Sequence, residues 1–118
     1  MIGLCYYVGN GVLKDPKKAA EWYTKSAEQG NADGQYMIGN CYEFGTGVLK
    51  DTKKGIEWYT KSAEQSNANA QYKLGLCYYY GEGVLKDTKK EVVWIKKSYE
   101  SGSEEAKKFW EKNELWKY

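Results

Sequence analysis

A period of 36 residues runs through the chain, and this internal repeat limits the possible folds more than any other feature. Residues 3–38 match residues 39–74 at about two-thirds of their positions, and residues 75–110 open with the same G-x-C-Y pattern. One copy is too small to bury its own apolar face, so neighbouring copies stabilise each other by stacking. We therefore expect one repeat domain over residues 1–118, with these three ranges as its copies.

The first helix of each copy, helix A, is predicted from its ends and from its apolar positions. Asn67 is suited to cap a helix that runs from Ala68 to Tyr80, and Gly81 and Gly83 provide the backbone freedom that ends it. Apolar and small residues at i, i+4, i+7, i+8 and i+11 predict the inward face of this helix. They are Ala70, Leu74, Cys77, Tyr78 and Gly81.

The second helix, helix B, is predicted to begin after an aspartate in every copy. Asp51 is an N-cap residue, and its equivalent Asp15 precedes Pro16, whose fixed φ suits the first helical position. Gly30 and Gly102 are predicted to end the first and third B helices in the left-handed conformation. The inward stripe of the middle B helix is Gly55, Trp58, Tyr59, Ser62 and Ala63. The fold class is therefore predicted to be all-α.

The copies share most of one residue order: a small residue, Leu-Gly, Tyr, a G-x-G-V turn, Asp, Lys-Ala, and Trp-Tyr before a Ser/Ala pair. In the later copies this order is carried by Gly45, Gly47, Val48, Asp51, Lys54, Trp58, Tyr59, Ser62 and Ala63, and by Leu74, Gly75, Tyr78, Gly81, Gly83, Val84, Asp87, Lys90 and Trp94. The order resembles the Sel-one-like repeat family, which is related to the tetratricopeptide repeats. The resemblance implies a right-handed α-α superhelix (solenoid) of antiparallel helix pairs whose A helices line the concave side. It also implies a role as an adaptor or scaffold in complex assembly and signalling.

The first copy begins inside its own helix A, because Met1 aligns with Met37. A terminal repeat is usually a complete and more polar cap. We therefore expect the chain to be a fragment of a longer protein. The incomplete first helix is also a route to end-to-end association of chains.

The last part of the chain departs from the repeat and is predicted to form a cap. Ser103 occupies the N-cap position of Asn67, and a helix from Glu104 to about Trp116 follows. Residues 103–118 are thus expected to be a C-terminal capping helix that overlaps the end of the third copy.

Charge and cysteine content exclude several classes of partner and site. The 18 basic and 16 acidic residues are interleaved and leave a net charge of +2, which does not indicate a nucleic-acid surface. No run of about 18 apolar residues predicts a membrane span, and no signal peptide is recognised, so a cytoplasmic location is expected. Cys5, Cys41 and Cys77 occur once per copy in a chain without histidine, so we expect buried thiols in a reducing compartment and no metal site.

Catalysis and cofactor binding are not predicted. A nucleophile needs an adjacent base, and the acidic residues recur at repeated surface positions. The G-x-G turns lack the preceding strand of a phosphate loop, and the lysines that open each B helix are read as a solvated, paired face. The tryptophans Trp22, Trp58 and Trp94 recur in phase with the core stripe and are predicted to be core residues rather than ligand-stacking ones.

The positions that change between copies are candidates for contact with a partner, since the fixed ones serve the fold. On the A helices they include aromatic residues around a central acidic one, a composition suited to peptide recognition. Ordinary drift on a solvated face is the alternative reading. The candidate partner-binding residues are Leu4, Tyr7, Asn40, Glu43, Phe44, Leu76, Tyr79 and Tyr80.

The predicted function is a protein–protein interaction scaffold or adaptor that binds other proteins or peptides on a concave face. The first alternative is a regulatory repeat segment of a larger signalling protein, for example one linked to a kinase. The second is a β-lactam hydrolase like the cysteine-rich branch of the resembled family. That branch carries paired cysteines in both helices of a repeat, whereas each copy here has one.

Overall fold

The computed structural model describes residues 15–117, and within them it contains α-helices and a 3-10 turn but no strand. The helices are α1 (Pro16–Glu28), α2 (Ala32–Phe44), α3 (Thr52–Glu64), α4 (Ala68–Tyr80), α5 (Thr88–Glu100) and α6 (Glu104–Lys112), followed by the turn η1 (Leu115–Lys117). The prediction of an all-α chain is confirmed. Helices α1, α3 and α5 are the predicted B helices, and α2 and α4 are the predicted A helices. None of the described helices is both long and apolar enough to cross a membrane.

The helix starts lie where the predicted caps place them. The carboxylates of Asp15, Asp51 and Asp87 each accept a hydrogen bond from the backbone N–H three residues later, at 2.9, 3.1 and 3.1 Å. The side chain of Asn67 accepts one from the N–H of Ala70 at 2.9 Å. Because these bonds satisfy N–H groups that a helix start leaves unpaired, they fix where each helix begins.

The helix stops also follow the predicted residues. Gly45 and Gly81 cap α2 and α4 with φ angles of 69° each. After α3, Ser66 takes the left-handed conformation that Gly30 and Gly102 take elsewhere, with φ of 68°. Each B helix is therefore followed by a residue in the left-handed conformation, even where that residue is not glycine.

The chain divides into two compact units, residues 1–58 and residues 59–118. In the first unit, α1 packs against α2 and encloses a core of small and medium side chains around one tyrosine. The buried members are Ala19, Ala20, Tyr23, Ala27, Ile38 and Cys41, with Met37, Tyr42, Val48 and Trp58 packed against them.

Within the second unit, α5 packs against both α4 and α6. Gly75 of α4 lies directly against the side chain of Ile95, so a residue with a Cβ atom would not fit there without displacing it. The hydroxyl of Ser98 donates a hydrogen bond to the carbonyl of Ala68 at 2.7 Å and joins α5 to the start of α4. A core of Ile95, Ala106 and Leu115 is surrounded by Tyr72, Val92, Phe109 and Trp110.

The capping helix begins as predicted but ends earlier, so the predicted end near Trp116 is wrong. Helix α6 stops at Lys112, the Asn113 side chain donates to the Phe109 carbonyl at 3.0 Å, and Glu114 adopts a φ of 53°. This reversal turns Leu115 inward, where only 2% of its surface is exposed. The burial of Leu115 favours a turn over continued helix.

Candidate partner-binding surface

The candidate residues within residues 15–117 occupy the C-terminal ends of the two A helices. We call these two groups the A-helix ends. They are Asn40, Glu43 and Phe44 on α2, and Leu76, Tyr79 and Tyr80 on α4. The candidates Leu4 and Tyr7, like the incomplete first helix that was linked to end-to-end association, lie outside the described residues.

The end of α2 presents three candidates on one side of the helix. Asn40, Glu43 and Phe44 are spaced i, i+3 and i+4, so their side chains are neighbours on the helix surface. Phe44 is 64% exposed, while Asn40 and Glu43 are half-buried. Buried Cys41 occupies another side of the same turn and packs in the core. The α2 end therefore combines a projecting aromatic ring with a carboxylate.

The end of α4 differs from the end of α2, because one of its tyrosines already packs against another helix of the chain. The Tyr79 ring meets the Phe109 ring of α6 edge-to-face, with centroids 5.3 Å apart, and it also meets the Tyr80 ring at 4.8 Å. Tyr80 is 67% exposed, whereas Tyr79 is half-buried. Tyr80 is thus the projecting ring at this end, and Tyr79 supports it.

Lysines at the starts of the B helices contact aromatic rings of the preceding A helices. The Nζ atom of Lys54 lies 5.1 Å from the centre of the Tyr42 ring, and that of Lys90 lies 5.4 Å from the centre of the Tyr78 ring. These are cation–π distances. The sequence pattern predicts a solvated face for these lysines, and the structure adds the ring contacts. The constant spacing between tyrosine and lysine in both copies was the available signal.

The tryptophans of the B helices are half-buried, and Trp58 packs against the core, so their prediction as core residues holds only in part. The neighbouring tyrosines take the centre of the core instead: Tyr23 is fully buried and Tyr59 is 1% exposed. Consecutive helical residues point about 100° apart, so only one of the pair can face the centre. Lysines cover the outer rings, with Lys25 Nζ 5.0 Å from the Trp22 ring and Lys97 Nζ 4.7 Å from the Trp94 ring.

An acidic residue occupies a core position in the third copy. Glu91 aligns with Ala19 and Gly55, and it is only 4% exposed. Burial raises the pKa of its carboxyl group, and the nearby Lys86 partly opposes this shift. Glu91 lines a small cavity together with Tyr79 and Leu115.

Two of the cysteines are buried thiols, as predicted, and Cys5 lies outside the described residues. Cys41 and Cys77 are 4% and 5% exposed. Burial raises the pKa of the Cys41 thiol to about 11. Since the thiolate is the reactive form, both burial and this shift protect Cys41 from reagents.

We expect slow labelling of these thiols in a Cys5→Ala variant. At pH 8 both thiols of the folded variant should react with a thiol reagent more slowly than in urea because they are buried. For Cys41 the rate should fall about a hundredfold, because raising its pKa from 9.0 to about 11 lowers the thiolate fraction by about that factor. Absorbance of the released chromophore measures both rates. Equal rates would contradict the burial of Cys41 and Cys77.

Comparison with known families and structures agrees with this helix-pair repeat. A model of the Sel1 repeat matches residues 1–31, 32–67 and 68–103. The chain belongs to the Sel1 repeat family. The second and third matched ranges begin at α2 and α4, so in both cases the Sel1 repeat begins with an A helix.

Solved Sel1-type structures are similar over most of the chain. A Sel1 repeat protein from Oxalobacter formigenes is 40% identical with a TM-score of 0.85, and the match covers 89% of this chain and 43% of that one. A protective antigen of uropathogenic Escherichia coli with the same type of fold is 33% identical (TM-score 0.83; 89% and 22% covered). Helicobacter pylori cysteine-rich protein B is 27% identical (TM-score 0.82; 91% and 79% covered). A search of curated proteins found no match.

These likenesses establish the Sel1 repeat solenoid as the fold class of this chain. Sel1 repeat proteins are helical repeat modules that generally mediate protein–protein interactions. The chain spans less than half the length of the first two of these structures. The third is cysteine-rich by name, whereas this Sel1 repeat chain carries one cysteine in each copy.

Proposed function

We propose that this chain is a non-catalytic binding module that holds a partner protein or peptide on the concave face of its repeat array, through its A-helix ends. The observation that carries the proposal is the exposure of Phe44 and Tyr80, at 64% and 67%. Each is the last residue of an A helix, and the two positions are one repeat apart in the sequence. Exposed aromatic rings are frequent anchors of protein interfaces.

The neighbouring side chains support a partner with both apolar and basic groups. Glu43 lies one residue before Phe44 and supplies a carboxylate beside its ring. Tyr79 packs against Tyr80 and holds it from one side. An anchor that is already supported loses less conformational freedom on binding, which favours affinity.

The same proposal places the module in the cytoplasm. The buried thiols of Cys41 and Cys77 support this location, because reduced cysteines are the usual form in a reducing compartment.

A double variant, Phe44→Ala with Tyr80→Ala, tests the proposed surface. A partner captured from the host lysate by the unchanged chain should bind the double variant at least about tenfold more weakly, since an anchor residue typically contributes 2 kcal/mol or more. The stability of the chain should change little, because both rings are largely exposed. Calorimetry measures the affinity, and urea unfolding measures the stability.

The matched control is Leu49→Ala with Leu85→Ala. These leucines are 90% and 89% exposed in the loops that follow α2 and α4, and they also lie one repeat apart in the sequence. The control should bind like the unchanged chain. If the control lost the partner and the Phe44/Tyr80 double variant kept it, the proposed surface would be wrong.

A further inference from the structure

A cavity of about 410 Å³ lies where the C-terminal ends of α3 and α5 meet the first turn of α4, within the second unit. Its wall includes Glu64, Gln71, Trp94, Lys97 and Glu100. None of these is a candidate residue of the A-helix ends. The volume falls in the range of cavities that hold small ligands or single side chains.

Gln71 lines this cavity and carries a buried hydrogen-bond acceptor. The residue is only 3% exposed, and its Nε2 atom donates to the carbonyl of Ala63 at 3.2 Å. The Oε1 atom of the same amide is buried without a hydrogen-bond partner. A buried acceptor is unfavourable until a donor reaches it. Gln71 therefore favours a ligand that carries N–H groups.

The charges around the cavity favour a cation. Helices α3 and α5 both end here with partial negative charge, whereas α4 alone starts here with partial positive charge, so the helix ends together contribute a negative excess. Glu64 and Glu100 add two carboxylates, while Lys97 is the one basic residue among the lining side chains. The Lys97 Nζ atom lies 4.7 Å from the centre of the Trp94 ring, so this ring face already accepts a positive charge.

The position of Lys97 also indicates which cation fits. With its ammonium group over Trp94, the Gln71 Oε1 atom still lacks a donor. A guanidinium group is planar and carries five N–H donors, so it can stack on an indole ring and donate to several acceptors together. It matches a wall that combines an aromatic face, carboxylates and an amide oxygen.

We propose that this cavity binds the guanidinium group of an arginine side chain in a partner protein. All 18 basic residues of this sequence are lysines, so none of its own side chains can supply the guanidinium group. This site is separate from the A-helix ends and does not depend on the binding proposed there.

The direct test is a titration of the ¹⁵N-labelled chain with the blocked peptide acetyl-Gly-Arg-Gly-amide. The NMR signals of the Trp94 indole N–H and the Gln71 side-chain amide should shift together, with a dissociation constant on the order of 1 mM. Peptides with citrulline or lysine in place of arginine should bind at least about threefold more weakly, because citrulline lacks the positive charge and lysine lacks the planar set of five N–H donors. Equal binding of either peptide would overturn the assignment.

Two substitutions with opposite expected effects distinguish binding from misfolding. Trp94→Leu should weaken binding of the arginine peptide about tenfold through loss of the stacking face. Lys97→Ala should strengthen it about threefold or more, because it removes a competing cation, and a damaged fold would not improve binding. An unchanged or lower affinity of the Lys97→Ala variant would overturn the proposal.

The matched control is Trp22→Leu, which changes the equivalent tryptophan of the first copy beneath its own lysine. This variant should bind the arginine peptide unchanged. The Phe44/Tyr80 double variant should also bind it unchanged, so loss of a protein partner at the A-helix ends and failure of the arginine site are separate results. An equal loss of affinity in Trp22→Leu and Trp94→Leu would overturn the assignment to this cavity.

Discussion

Replacing Tyr23 with alanine is expected to lower the free energy of unfolding by about 4 kcal/mol. Tyr23 is fully buried and is the largest side chain in the core of the first unit, where small residues such as Ala20 and Ala27 surround it. Small neighbours cannot move inward to fill the space that a deleted ring leaves, so the variant loses contacts and keeps a cavity. Urea unfolding followed by circular dichroism measures the loss.

Trp22→Ala is the matched control for this prediction, because it deletes a larger ring from the adjacent position. Trp22 is half-buried and lies under Lys25 at the edge of the core, so we expect a loss of about 1–2 kcal/mol. A larger loss for Trp22→Ala than for Tyr23→Ala would contradict the placement of the tyrosine at the centre of the core.

Gly47→Ala is expected to lower the free energy of unfolding by about 3 kcal/mol. Gly47 has a φ of 75°, a conformation that an alanine adopts only with strain. In addition, a Cβ atom there would lie 2.6 Å from the carbonyl carbon of Pro16 and even nearer to its oxygen. Because these are backbone atoms at the start of α1, they cannot move aside as a flexible side chain would.

Gly30→Ala separates the strain of the left-handed backbone from the steric clash with Pro16. Gly30 has a similar φ of 86°, but no atom lies within 4 Å of the Cβ position. This variant should therefore lose only about 1 kcal/mol, the part due to the left-handed backbone. Thermal or urea unfolding of both variants measures the difference, and equal losses would show that the contact with Pro16 is not restrictive.

Local signals in the sequence were sufficient for the starts of the α-helices and for the ends of the A helices. The aspartates before the B helices and Asn67 before α4 make the hydrogen bonds that their residue types predict. The glycines at 45 and 81 end the A helices in the left-handed conformation. These features depend on residues within one turn of each other, so the sequence contains all the necessary information.

The candidate surface was predictable only in part. Comparison of the copies selected Phe44 and Tyr80, and both rings project into solvent. The same comparison could not separate Tyr80 from Tyr79, because the difference arises from Phe109, thirty residues further along the chain. Contacts between distant residues have no fixed spacing in the sequence.

The sequence by itself determined the repeat, the all-α class, the family and the start of every described helix, because each follows from residue types at short, repeated spacings. The tertiary structure alone decided which ring of each Trp-Tyr pair fills the core, where the capping helix ends, and that Gln71, Trp94 and two helix ends line one cavity. Those outcomes depend on which surfaces meet in three dimensions, and burial against a neighbouring helix outweighs the local preference of the residues involved.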